Sequence, residues 1–226
     1  MSVSVQESLL DMGDEGPILG ALAGSVRRTP LAHGAWVDIC PGWLGGSGEV
    51  FARLLESVPW RAEQRPMYDR VVAVPRLQCF YGEDAPLPHP VLTAARQALD
   101  AYYRPELGEP FRTAGLCLYR DGRDSVAWHG DRIGRGSTED TMVAIVSLGE
   151  ARPLLLRPRG GAGKGEAADV LRYNLGHGDL IVMGGSCQRT WEHAVPKSAR
   201  PARGSACSSG RGTCAKPPTR TRRAGR

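Results

Sequence analysis

A series of short apolar runs in the second half of the chain restricts the fold more than any other feature. The runs are rich in Val, Leu and Ile, and turn signals such as D-G and G-H-G-D separate them. They cover residues 113–119, 142–149, 152–158, 169–175 and 179–184. Many short strands at this spacing are typical of a β-sandwich or jelly roll.

Two amphipathic helices are predicted ahead of these strands. In residues 47–58 the apolar side chains recur at helical spacing behind Ser47. Pro90 suits the first turn of a second helix, whose apolar face is formed by Val91, Ala95, Leu99 and Tyr102. Residues 75–90 between the helices contain four prolines and a glycine, which predicts a loop. Helices followed by strands place the chain in the α+β class.

The positive charge lies mostly near the carboxyl end. The formal net charge is +5, but residues 199–226 contain seven Arg, one Lys and no acid, so residues 1–198 are net negative. The basic pI of about 9.0 therefore gives little support for a nucleic-acid groove in the folded body. Six scattered cysteines without a C-x-x-C favour neither a zinc ribbon nor a disulfide framework. Without a long apolar run or a signal-peptide pattern, we expect a cytoplasmic monomer with no membrane partner.

The stretch W-H-G-D contains a candidate pair of metal ligands, His129 and Asp131. Alternate residues of a strand point to the same side, so both side chains can reach one ion. Two histidines and one carboxylate are typical of Fe(II) centres that activate O2, so a second histidine is needed. His177 lies in the tight turn L-G-H-G-D-L, which favours a structural role. His193 follows an apolar strand, in W-E-H-A-V-P-K, which favours it as the third ligand.

Three segments, in this order, resemble the AlkB family of Fe(II)- and 2-oxoglutarate-dependent dioxygenases. They are P-R-L-Q-C-F-Y-G-E, then L-Y-R-D-G-R-D-S-V-A-W-H-G-D, then G-D-L-I-V-M-G-G-S-C-Q-R-T-W-E-H-A-V-P-K, and the likeness spans residues 60–200. The resemblance implies a double-stranded β-helix (jelly roll) core with the N-terminal helices packed outside it. It also implies that His129, Asp131 and His193 hold Fe(II), with 2-oxoglutarate and O2 as co-substrates.

The resemblance assigns further roles. Tyr119 would donate a hydrogen bond to a 2-oxoglutarate carboxylate, whereas Cys117 stands where the family often has Asn. Arg76 and Tyr81 lie in the segment that approaches the flipped nucleotide in relatives, and Trp128 is a further candidate for substrate binding. The implied reaction is oxidative demethylation of N-alkylated bases in single- or double-stranded DNA, with RNA as an alternative. This direct reversal of damage releases formaldehyde and succinate.

The resemblance ends after His193. The family continues into a strand of the form R-x-S-x-x-F-R, and one Arg there pairs with 2-oxoglutarate. This chain instead reads R-G-S-A-C-S-S-G-R, which predicts a disordered tail and leaves Arg203 and Arg211 as candidates for the co-substrate. If GC-rich codons encode residues 203–215, another reading frame gives S-V-Q-F-R, so a frameshift is one explanation. The printed chain is then expected to bind 2-oxoglutarate weakly and to lose stability.

These observations predict four regions and leave alternatives for function. The regions are an N-terminal arm (1–35), a helical and nucleotide-recognition region (36–111), a jelly-roll core (112–198) and an irregular, basic tail (199–226). One alternative keeps the iron and 2-oxoglutarate but uses a small molecule or a protein as substrate. Another is a weakened metal- and DNA-binding remnant.

Overall fold

Two antiparallel sheets face each other, as the series of short apolar runs predicts. The structure, a computed structural model, describes residues 16–67, 70–107, 110–131, 138–160, 170–198 and 205–210. The strands in chain order are β1 (Ile18–Leu19), β2 (Arg27–Pro30), β3 (Ala35–Cys40), β4 (Leu44–Gly45), β5 (Arg61–Met67), β6 (Arg70–Tyr81), β7 (Ala114–Tyr119), β8 (Val126–His129), β9 (Val143–Gly149), β10 (Arg152–Pro158), β11 (Leu171–Leu175), β12 (Leu180–Gly185), β13 (Trp191–Val195) and β14 (Ser205–Gly210). The helices are α1 (Ser47–Ser57), α2 (Pro90–Leu107) and the single turn α3 (Cys187–Thr190), with a 3-10 turn at Ala32–Gly34.

Among the described residues, the larger sheet has the order β2-β3-β12-β9-β14-β7-β6-β5 and the smaller, facing sheet has the order β11-β10-β13-β8. β1 and β4 form a separate two-stranded sheet. Successive side chains of β12 point to opposite faces of the larger sheet. Ile181 and Met183 pack between the two sheets, against Leu154 and Leu156 of β10. Leu180 and Val182 belong instead to the core beneath the helices. The larger sheet is therefore covered on both faces, and the space between the sheets is the interior of the jelly roll.

The helices pack on the outer face of the larger sheet. Val50 and Leu54 of α1 are buried, as the helical spacing predicts. On α2 the prediction needs one correction, because Tyr103 is buried and Tyr102 is 37% exposed. The helix turns by about 100° per residue, so the two tyrosines cannot share a face. None of the helices in the described residues is both long and apolar enough to span a membrane.

The segment 75–81 differs from the predicted loop, because it forms the second half of β6. Gln78 lies directly opposite Cys117 of β7, so ladder hydrogen bonds hold this backbone. Pro75 falls where the pairing of β5 with β6 shifts register. A proline is tolerated at such an irregularity because no ladder N–H is required there. Proline content alone therefore gave the wrong prediction for this segment.

The carboxyl-terminal region also differs from the prediction. Residues 205–210 form β14, which pairs with β7 on one side and β9 on the other. The sequence S-A-C-S-S-G contains none of the β-branched or aromatic residues that favour strands, but the two neighbouring strands offer backbone hydrogen-bonding groups on both sides. Satisfying those buried groups outweighs low strand propensity. The expectation that the last core strand is missing is wrong, while residues 199–204 and 211–226 lie outside the described residues.

The amino-terminal region shows regular pairing too. Residues 27–30 form β2, which pairs with β3 at the edge of the larger sheet. The described part of the expected arm, from residue 16 onward, therefore contains strands as well as turns.

Candidate metal centre and its cavity

Three potential metal ligands converge at the end of β8. His129 is the last residue of β8 and lies directly opposite His193 of the neighbouring strand β13. Asp131 follows two residues later, so its carboxylate returns to the same side. Its oxygens lie 3.8 Å from His129 Nε2 and 4.0 Å from His193 Nε2. The three ligand atoms lie within 4.8 Å of one another, close enough for one ion to bind all three.

The hydrogen bond of His129 and the burial of His193 both suit metal binding. His129 Nδ1 lies 2.9 Å from the carbonyl oxygen of Ala127, so the ring N–H donates there and leaves the Nε2 lone pair towards the other ligands. Burial, and then the neighbouring His129, hold the pKa of His193 well below its usual value. His193 is therefore neutral at neutral pH, as a ligand must be.

Asp131 completes a donor set that fits Fe(II). Burial raises the pKa of this carboxyl group, and His129 opposes that shift. A dication between the three side chains would offset the cost of burying the carboxylate. Two imidazoles and one carboxylate on one side of an ion leave the opposite positions open, which is the arrangement of non-haem Fe(II) oxygenases.

Two further residues hold the ligand strand in place. The buried Gln188 accepts the backbone N–H of Asp131 through Oε1 at 3.0 Å. Gly130 lies between the two ligands, and a Cβ there would come within 2.5 Å of the Gln188 carbonyl and 3.1 Å of the Trp191 carbonyl. Sequence spacing gave no signal for Gln188, because its contact is made across the fold. The tight packing explains the glycine of the W-H-G-D stretch.

A cavity of about 140 Å³ adjoins the three ligands inside the jelly roll. Its lining includes Tyr119, Gln78 and Arg76, together with Arg152, which the sequence analysis missed. The Arg152 guanidinium lies over the Tyr119 ring, 5.0 Å from its centre. Apolar side chains line much of the remaining wall, among them Val143, Ile145, Leu154 and Leu175. A largely apolar cavity beside the metal ligands suits a small anionic co-substrate that needs a few fixed polar partners.

An amide lies close to the position where the family often has Asn. Gln78 is buried and lies directly opposite Cys117, so the two side chains are cross-strand neighbours. With its amide oxygen towards Arg76, Gln78 accepts from Arg76 Nη2 at 3.1 Å, and both Gln78 and Cys117 line the cavity. The Cys117 thiol cannot replace the donors of an amide. Gln78 brings an amide to the same part of the wall from the next strand.

The other candidates from the sequence fall in different places. Arg76 lines both the metal cavity and an adjoining one, and Trp128 lines the adjoining one with Arg157 lying 4.3 Å over its ring. Tyr81 is not brought to the cavity: it packs against the core beneath the helices, and burial raises its pKa to about 12. Arg203 and Arg211 lie outside the described residues.

His177 has the structural role that its turn indicates. Its Nδ1 accepts the backbone N–H of Gly149 at 2.7 Å, and its ring packs edge-on against Phe51. It therefore joins α1 to the end of β9, and His193 alone supplies the distal imidazole of the centre.

A two-His, one-carboxylate centre inside a jelly roll defines a class of metal-dependent oxygenases. The family model of the 2OG-Fe(II) oxygenase superfamily matches residues 46–220, and the chain belongs to that superfamily. Fe(II), 2-oxoglutarate and O2 are the cofactor and co-substrates of this superfamily, and the donor set and the cavity fit them.

Curated relatives narrow the comparison. The chain is 31% identical over 180 residues to the alpha-ketoglutarate-dependent dioxygenase alkB homolog 3 of Bos taurus, covering 71% of this chain and 60% of that protein. It is 28% identical to the DNA oxidative demethylase ALKBH2 of Arabidopsis thaliana, over 79% of this chain and 66% of that protein. These names confirm the resemblance to the AlkB family. The chain spans about three fifths of the length of the first of these relatives.

A solved structure shares the fold. The structure of OsALKBH1 superposes with a TM-score of 0.53 at 16% identity, covering 81% of this chain and all of that one. At this identity the likeness shows the jelly roll alone, and it confirms the predicted α+β fold class.

Proposed function

We propose that the protein is an Fe(II)- and 2-oxoglutarate-dependent dioxygenase that demethylates N-alkylated bases in DNA and so reverses alkylation damage directly. The observation that carries this proposal is the convergence of His129, Asp131 and His193 beside a cavity with Arg76 in its wall. The relatives' names, alkB homolog 3 and DNA oxidative demethylase, support a nucleic-acid substrate.

The chain's own residues position the reaction. His129, Asp131 and His193 would hold the metal beside the cavity, where the co-substrates would bind. When bound, Fe(II) with 2-oxoglutarate and O2 supplies the oxidation of the N-methyl carbon, which leaves as formaldehyde while 2-oxoglutarate becomes succinate and CO2. Ile145, Leu154 and their apolar neighbours keep bulk water away from the reacting groups. No side chain has to act as a general acid or base at the methyl carbon.

The substrate must leave its stack to reach the centre. Extracting a base from a duplex costs a few kcal/mol, and less for an alkylated base that pairs poorly. That difference favours damaged bases without any contact that reads the lesion. Arg76 is the basic residue that borders both cavities, so it is placed to meet the phosphate or the edge of the extruded nucleotide. RNA is the alternative substrate, because neither the lower cost of extracting a damaged base nor the position of Arg76 distinguishes ribose from deoxyribose.

Release of succinate and formaldehyde from methylated oligonucleotides tests this proposal. Single-stranded DNA, duplex DNA and RNA substrates are compared, with Fe(II), 2-oxoglutarate and O2 present and His129→Ala as the inactive control. We expect the two products in equal amounts, only with methylated oligonucleotide. Succinate release that is stimulated by free amino acids or small molecules, and not by any oligonucleotide, would instead identify an oxygenase with another substrate.

A further inference from the structure

We propose that Arg152 supplies the positive charge that binds the 2-oxoglutarate carboxylate farther from the metal. The family pattern assigns this role to an arginine of the last core strand. The inference rests on the co-substrate of the superfamily and not on the identity of the nucleic-acid substrate. Three observations point to it: the sequence of the last strand, the carbonyl groups around Arg152, and the position of its side chain along β10.

The described part of the last core strand, β14, contains no cation. β14 has the sequence S-A-C-S-S-G. When Arg203 and Ser205 are aligned with the start of the pattern R-x-S-x-x-F-R, Ser208 and Ser209 occupy the positions of its final F-R. The described strand therefore lacks the arginine that ends the pattern, and Arg203, at the first position of the pattern, lies outside the described residues.

Arg152 is a buried cation without an anionic partner among the described residues. It is 6% exposed. Its Nη1 donates to the carbonyl oxygen of Asp121, and its Nη2 donates to those of Asp124 and Pro196, at 2.8 to 2.9 Å. Its Nε is buried and has no acceptor. The carbonyls fix the plane of the guanidinium but leave its charge uncompensated, and a buried charge without a counter-ion is costly.

The position of Arg152 along β10 matches the remote end of the cavity. Leu156 of the same strand lies opposite His193, and Arg152 precedes it by four residues, a separation of about 13 Å along an extended strand. Side chains two and four residues apart share a face, and Arg152 and Leu154 both line the cavity. An arginine side chain and a short dicarboxylate, placed end to end, are together long enough to span this distance.

The other described cation of the cavity lies at the opposite end. Arg76 also lines the adjoining cavity together with the metal ligand His129, whereas Arg152 does not line that cavity. Arg76 therefore belongs to the metal end. Arg152 lies against the Tyr119 ring, and Tyr119 is the residue that the resemblance assigns to the same co-substrate.

A ligand comparison isolates the distal carboxylate. Dissociation constants for 2-oxoglutarate and for 2-oxobutanoate, which lacks that carboxylate, are measured by calorimetry with Mn(II) in place of Fe(II) and without nucleic acid. We expect Arg152→Met to weaken 2-oxoglutarate binding by about tenfold to a hundredfold. Binding of 2-oxobutanoate should change by less than about twofold, within the usual error of additivity. Arg123→Met, an exposed arginine of the neighbouring turn, serves as the matched control and should change neither constant.

The result that overturns the proposal is a folded variant that still prefers 2-oxoglutarate as strongly as the wild type does. An equal loss for both ligands would also overturn it, because that outcome indicates only a structural role. If the methionine variant does not fold, Arg152→Gln keeps a donor for the carbonyls but removes the charge, and the same two outcomes decide. Selective loss of 2-oxoglutarate binding in Arg203→Met, with Arg152→Met unchanged, would assign the charge to the last strand. Oligonucleotide turnover plays no part in these measurements, so a failure of the demethylase proposal leaves them valid.

Discussion

Gly130 separates two metal ligands, and its missing side chain leaves room for the backbone of the segment that carries His193. Gln188 lies on the same side and accepts the backbone N–H of Asp131. The ligand geometry at the end of β8 is therefore set by residues that never touch the metal. Partners of this kind commonly change metal affinity by about 10- to 100-fold when they are removed.

Gly130→Ala is expected to weaken Mn(II) or Fe(II) binding by about tenfold or more. The added Cβ would lie 2.5 Å from the Gln188 carbonyl, so the ligand segment has to shift. Gly82→Ala is the matched control, since a Cβ at that position meets no atom within 4 Å. Metal titration of both variants provides the measurement, and equal affinities in the two would contradict the packing argument.

Cys187 is expected to resist alkylation in the folded protein. Burial raises the pKa of its thiol to about 12. At pH 8 a thiol of that pKa is ionised in only about one molecule in ten thousand, and the thiolate is the reactive form. Because ionisation is easier in the unfolded chain, this thiol also lowers stability as the pH rises above about 9. Iodoacetamide labelling followed by mass spectrometry should modify Cys187 in urea but not in the native state, and equal labelling would refute the prediction.

At the scale of the elements, a buried polar cluster joins the edge of the larger sheet to α2. Asp38 of β3 is 1% exposed and accepts hydrogen bonds from Arg28 Nε and Nη2, both at 2.8 Å. Tyr103 of α2 donates its hydroxyl proton to the same carboxylate at 2.9 Å. Burial, and then Asp38, raise the pKa of Tyr103, so the hydroxyl stays protonated and remains a donor.

Tyr103→Phe is expected to lower the free energy of unfolding by about 1–3 kcal/mol, because it leaves a buried carboxylate with one partner fewer. Tyr102→Phe, on the exposed side of the same helix turn, should change it by less than about 0.5 kcal/mol. Urea unfolding of the two variants tests this difference. A smaller loss for the buried tyrosine than for the exposed one would rule out the role given to the cluster.

The sequence predicted the elements whose apolar side chains recur at the spacing of a helix or strand with one buried face. Both helices and the apolar strands of the core fall where the spacing of Val, Leu and Ile places them. β6 and β14 could not be predicted in this way, because pairing with neighbouring strands decides them. The metal ligands followed from a short motif and a resemblance, whereas Gln188 and Arg152 reach the site only through the fold. No local pattern marks such residues.

At the scale of the whole molecule, the larger sheet depends on a segment with little strand propensity. β14 lies between β9 and β7, and Cys207 pairs with Ser147 on one side and Cys117 on the other. The expected loss of the last core strand is not seen, although Ser209 stands where the family pattern ends in an arginine. The shifted reading frame remains a prediction that the codons at the 3′ end of the gene decide.

Cys207→Pro is expected to destabilise the protein by more than about 2 kcal/mol. A proline removes the N–H of a central strand and leaves a buried carbonyl without a donor. Cys207→Ser keeps the backbone donor and serves as the control. Thermal unfolding of the two variants compares them. Equal melting temperatures would show that residues 205–210 do not form a central strand.

The central claim is that His129, Asp131 and His193 form one iron site that also binds 2-oxoglutarate. Anaerobic titration with Fe(II) in the presence of 2-oxoglutarate tests it most directly, through the visible charge-transfer absorption that forms when the 2-oxo acid chelates the metal. We predict that the absorption saturates at one Fe(II) per chain and is absent from His129→Ala and His193→Ala, both shown to be folded by circular dichroism. An absorption that persists in either variant, or that never forms in the wild type, would contradict the claim.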